Sequence, residues 1–196
     1  MCSSTMINLR NISPLVSSAA MLPAHELRFN IPGIRGVEPS SASVEPVDCD
    51  DEIVHGTLYK LSEEDFNIIC RTEGVPFAYS LHRCRVVPYT GDGKRAGEEK
   101  LQKILNTSAA NEKYLDKSDI GVSAFTLRAA RNEWRKGQDI PPSKSYLNVL
   151  IRGAIEYKMD EAYVNKLKSI QVGKTWVGDG MAEEMLRLAE RRNGIR

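Results

Sequence analysis

Segments with the period of strands fill the first two thirds of the chain, and segments with the period of helices fill its last third. This segregation constrains the fold more than any other feature. Strands that come first and helices that come last build a sheet with helices laid against it, whereas a parallel α/β sheet needs the two kinds to alternate. The expected fold class is α+β. Strand-like stretches are residues 19–31 (AAMLPAHELRFNI), 52–61 (EIVHGTLYKL), 75–87 (VPFAYSLHRCRVV) and 120–128 (IGVSAFTLR). Gly56, inside the second of these, suggests a bulge or a close backbone approach. Met6, Ile7 and Leu9 read as the tail of a short helix closed by Asn11 and Pro14. Gly33, Gly36 and Pro39 open a Ser/Glu/Pro-rich stretch to about Cys49 that reads as a long loop.

One helix is marked at both ends. Ser62 is a good N-cap, Glu63, Glu64 and Asp65 place carboxylates in the first turn, and Leu61 and Phe66 stand at the positions of a hydrophobic staple. Gly74 provides the C′ residue, so a helix is expected over 62–72. Later, Pro141 and Pro142 break the chain ahead of a helix in which Tyr146, Leu147, Leu150, Ile151 and Ala154 share a face. A second helix is expected from Asp160 through Ile170 and a third from Asp179 to Gly194. Residues 90–119 are polar and Gly-rich at their start and read as a surface insertion. A chain of 196 residues is expected to fold as one compact domain.

With 27 Lys and Arg against 26 Asp and Glu, the net charge of +1 gives no field that gathers nucleic acid or an anionic membrane. No apolar run reaches the roughly 18 residues that a membrane span needs. The basic stretch HRCRVVPYTGDGKR, with Tyr89, reads as a solvated face rather than an RNA contact. Cys2, Cys49, Cys70 and Cys84 form no C-x-x-C pair and read as free thiols of a reducing, cytoplasmic compartment. His25, His55 and His82 share no ligand spacing, so no metal site is expected. Neither a G-x-S-x-G motif nor a phosphate-binding glycine loop is present.

Glu73 stands at the end of the 62–72 helix, where the unsatisfied carbonyls disfavour a second negative charge. That placement raises a carboxyl pKa toward the range of a general base when the site is also desolvated. The residues alone favour the plainer alternative, a solvated glutamate at a helix end with Arg71 nearby.

The run EEDFNIICRTEGVPFAY resembles the helix, Glu-Gly turn and Tyr-bearing strand of the gamma-glutamylcyclotransferases. VHGTLYKLS resembles the strand leading into that helix. PPSKSYLNVLIRGAIEYKMDEAYVNKLKSI is similar to the family's Pro-Pro-Ser, Tyr and Gly-Ala helix with the helix after it, and MINLRNISP to the segment following its first loop. The pieces run in the family's order over residues 1 to about 171, which implies one domain over residues 1–171 followed by a helical tail, 172–196.

The resemblance implies a small mixed β-barrel with flanking helices and a cofactor-free enzyme of lyase or acyltransferase type, in the chemistry of glutathione and other γ-glutamyl compounds. The α-amine of a γ-glutamyl group attacks its own γ-carbonyl, forming 5-oxoproline and releasing an amino acid or amine. Glu73 matches the general base, and Tyr146 and Tyr79 match tyrosines at the substrate. The implied partner is a small γ-glutamyl molecule, and a homodimer is left open. The chain departs from the family by lacking the first strand and its Tyr-Gly-Ser-Asn loop, and by the 90–119 insertion. An N-terminally truncated chain that is catalytically dead or nearly so is therefore expected. It is either internal to a longer protein or an inactive member acting as a binding or scaffold protein.

Overall fold

The computed structural model describes residues 5–34, 37–49, 52–89 and 121–175. The 90–119 insertion, the third C-terminal helix and most of the expected tail lie outside the described residues. A π-helical turn at Thr5–Leu9 precedes strand β1 (Val16–Pro23), where the short helix tail was expected. β1 is central. Its last five residues are buried on both faces, as a strand flanked by β4 (Ile53–Lys60) and β5 (Tyr79–Pro88) requires. Strand β6 (Val122–Ala129) completes the sheet in the order β4-β1-β5-β6. β1 runs antiparallel to β4 from Val16↔Lys60 to Pro23↔Ile53, and β5 to β6 from Tyr79↔Ala129 to Val86↔Val122.

Residues 19–31, expected as one strand, are two. Ala24 takes a left-handed φ of 55°, and the chain leaves β1 there to begin β2 (His25–Ile34) in a second sheet. The partner of β2 is β3 (Glu38–Pro46), so the expected loop before Cys49 is mostly strand. In its composition, EPSSASVEP, Val44 alone is one of the β-branched and aromatic residues that mark strands. Pairing with β2 and burial of Ser40 and Ser43 hold it in place instead. Ser40 donates to the Ile140 carbonyl at 2.6 Å, and Ser43 Oγ lies 2.8 Å from both Asn30 and Glu45 oxygens. Gly56 is a further correction: the β1–β4 register passes through Gly56↔Ala20 without a shift, and a Cβ there would meet open space.

β3 packs beside β6 and β2 beside β4, which curls the two sheets into a half-barrel. At the β3–β6 seam the Glu45 carboxylate accepts from Ala129 N at 3.0 Å and from Arg128 Nε at 2.6 Å. A side chain thus takes the place of a ladder acceptor. Ala20, Leu22, Val54, Cys84 and Val86 fill one face of the sheet, and Met21 and Val87 the other.

Helix α1 (Glu63–Thr72) links β4 to β5. A short α2 (Asn132–Lys136), not foreseen, follows β6. Helix α3 (Lys144–Glu156) packs on α4 (Glu161–Lys168) through Ala154, Tyr163, Val164 and Leu167, which also meet Leu27 of β2. Strands and flanking helices thus form an α+β half-barrel, which bears out the expected α+β class and the barrel with flanking helices that the resemblance implied. Among the described residues no helix is long and apolar enough to cross a membrane.

Candidate active site

The local sequence around Glu73 fixes its backbone before any tertiary contact. Ser62 caps the start of α1 by accepting from Asp65 N at 3.1 Å. At the other end Gly74, with φ of 73°, closes a Schellman motif: Gly74 N donates to Arg71 O and Val75 N to Cys70 O, at 3.2 and 2.9 Å. A side chain at that φ is strained, which explains the glycine. Glu73 is therefore the C-cap residue, held by its own N–H on Ile69 O at 2.9 Å.

Its carboxylate is not the solvated group that the plainer reading describes. The Glu73 side chain is 14% exposed, and its Oε1 accepts from Arg10 Nη2; Arg10 is 15% exposed. Arg10, rather than Arg71, is its partner, and Arg10 is steadied by donating from Nη1 to Thr72 Oγ1 at 2.8 Å. Among the described residues nothing bonds Glu73 Oε2.

Two tyrosines converge on one residue of β3. Tyr79, at the first position of β5, donates its hydroxyl proton to Ala42 O at 2.9 Å, with Ser41 as a further partner. Tyr146, in the first turn of α3, accepts from Ala42 N at 3.2 Å. The difference matters chemically. Tyr79 has used its proton on the backbone, whereas no described residue accepts the proton of Tyr146. Burial pushes the Tyr146 phenol up to about 12, with the nearby Glu73 and Glu38 carboxylates acting the same way against Ala42 N–H and Arg10. It stays a neutral donor at any physiological pH. Burial, then the neighbouring Tyr146 phenol and Glu73 carboxylate, also push Tyr79 up.

Helix α3 is anchored where Tyr146 sits. Ser143 Oγ caps it by accepting from Tyr146 N at 3.1 Å, and Ser143 donates its hydroxyl and its N–H to Glu38 of β3. The three residues singled out from sequence, Glu73, Tyr79 and Tyr146, thus come together from α1, β5 and α3. Sequence reasoning missed Arg10, Ala42 and Glu38. The resemblance of MINLRNISP included Arg10, but nothing local tied it to Glu73.

Among the described residues, the arrangement offers a carboxylate with one unoccupied oxygen in the electrostatic reach of a phenol with an undonated proton. Together they can take a proton at one atom and supply a hydrogen bond at another. A separate cleft of about 410 Å³ between β2, β4 and α4, lined by Glu52, Tyr163 and Lys166 among others, does not include these residues.

The AIG2-like family matches residues 53–167. The chain is 30% identical over 171 residues to Gamma-glutamyl cyclotransferase gliK of Claviceps purpurea (strain 20.1), covering 85% of this chain and 64% of that protein. It therefore spans a little under two thirds of the length of that curated relative. A solved gamma-glutamyl cyclotransferase superposes with a TM-score of 0.59 at 17% identity, over 94% of this chain and 90% of its own. The human uncharacterized protein loc79017 gives 0.58 at 19% identity, over 94% and 89%. The chain belongs to the AIG2-like family and has the fold of a gamma-glutamyl cyclotransferase.

Proposed function

We propose that the protein is a gamma-glutamyl cyclotransferase that converts the γ-glutamyl end of a small molecule to 5-oxoproline, with Glu73 as general base. The observation that carries this reading is that the half-occupied Glu73 carboxylate lies within electrostatic reach of the Tyr146 hydroxyl, whose proton no described residue accepts. Glu73 takes a proton from the α-ammonium, and the freed amine attacks the γ-carbonyl carbon of the same molecule. The new C–N bond closes a five-membered ring, and the carbonyl oxygen becomes an oxyanion. Tyr146 supplies a hydrogen bond to that oxygen. Collapse breaks the old C–N bond as Glu73 returns the first proton to the leaving nitrogen, and the ring nitrogen gives its second proton to the released amine, which leaves as an ammonium and leaves the 5-oxoproline amide neutral. Nucleophile and electrophile belong to one molecule, so holding the folded conformer removes much of the barrier. Tyr79 frames the substrate by fixing Ala42 between the two tyrosines. The 30% identity to a gamma-glutamyl cyclotransferase supports the same reaction class.

Glu73→Gln tests the assignment, because the amide has the same size but cannot accept the proton. Turnover should fall about 10²- to 10⁴-fold with the fold retained. A folded Gln variant that releases 5-oxoproline at the wild-type rate would show that Glu73 is not the base.

A further inference from the structure

The Arg10–Glu73 pair is a mostly buried pair of opposite charges in which each partner keeps hydrogen-bonding capacity. Glu73 has Oε2 without a described partner. Arg10 makes two side-chain bonds among the described residues, to Thr72 and Glu73, although a guanidinium carries five N–H donors. An ion pair that leaves one carboxylate oxygen and several guanidinium donors unused is complementary to a zwitterion, since a second plus-minus pair can lie antiparallel beside it. The α-amino acid head of a γ-glutamyl compound is such a zwitterion, with an ammonium and a carboxylate on one carbon.

Resting on the reaction proposed above, we infer that Arg10 and Glu73 act together as the receptor for this head: Glu73 Oε2 takes the ammonium, and the unused donors of Arg10 take the α-carboxylate. Glu73 meets the proton it must remove because Arg10 has oriented the head, so base and binding site are one unit. Planarity matters as well as charge, because a guanidinium can grip two carboxylates at once while a lysine ammonium offers a point charge.

Binding of S-propyl-L-homocysteine measures this apart from catalysis. It carries the same head and two-methylene arm, but a thioether replaces the γ-carbonyl and it cannot cyclise. Calorimetry should show that converting its carboxylate to a primary amide weakens binding by wild-type protein at least about tenfold, the loss expected for a hydrogen bond to a charged group. In Arg10→Gln the acid and the amide should bind within about twofold of each other. Arg10→Lys, which keeps a positive charge beside Glu73 should the Gln variant fail to fold, should discriminate less than wild type.

Equal affinity of wild type for acid and amide, no binding of either, or discrimination undiminished in both Arg10 variants would overturn the inference. Turnover of γ-L-glutamyl-L-alanine separates it from the reading beneath it. Selective binding without 5-oxoproline would remove the reaction and keep the receptor. Equal turnover of the dipeptide and its glutamyl α-amide would do the reverse.

Discussion

Ala42 shows how much a single backbone position decides here. It offers its carbonyl to Tyr79 and its N–H to Tyr146, so two phenols of the same type end with opposite hydrogen-bonding roles. Tyr146→Phe should leave Ala42 N–H without its partner and lower stability by about 1 kcal/mol. It should also lower kcat/KM by about tenfold or more, because the undonated proton goes with the hydroxyl. Tyr79→Phe removes a bond of similar worth from Ala42 and should cost similar stability with a smaller kinetic effect. Thermal melts and initial rates on the two variants check this. Equal kinetic effects would mean that Tyr146 acts only by holding β3.

At the scale of elements, β3 does most to assemble the site and was least visible in the sequence. Its seam to β6 hangs on Glu45, which is 4% exposed. Burial alone would push this carboxyl up, but Arg128, the Ser43 hydroxyl and Ala129 N–H outweigh it and hold the carboxyl below its usual range. A depressed folded value means that the contribution is present above the unfolded value, near 4.5, and is lost as pH falls through the lower folded value. Glu45→Gln should therefore cost about 2–3 kcal/mol at pH 7 and progressively less as pH falls below about 4.5. Urea midpoints of both proteins at pH 7 and pH 3 measure it, and parallel pH dependence would contradict it.

The contrast with α1 explains what the sequence could show. The cap at Ser62, the acidic first turn and the Gly74 stop all act within a few residues, so the helix and the position of Glu73 at its end were legible. β3 depends on β2, β6 and Ile140, and Arg10 reaches Glu73 across 63 positions. Such partners leave no periodic or local trace. The same limit made Arg71 look like the neighbour of Glu73 and made one long strand of the two on either side of Ala24.

At the scale of the molecule, two sheets joined along side-chain seams, with α3 and α4 packed against them, bring Tyr79 of β5 and Tyr146 of α3 together on Ala42, within electrostatic reach of Glu73 at the end of α1. The family-like order of segments made this architecture legible as a whole, while its individual contacts were not. The central claim is that this assembly cyclises γ-glutamyl groups. The most direct measurement quantifies 5-oxoproline and the released amine from γ-L-glutamyl-L-alanine, glutathione and a γ-glutamyl amine. It compares residues 1–196 with the same residues preceded by whatever the transcript encodes in frame upstream. The account predicts 5-oxoproline and amine in equal amounts from at least one of these compounds, with both lost in Glu73→Gln. Folded protein that releases 5-oxoproline from none of them, in either form, would contradict it.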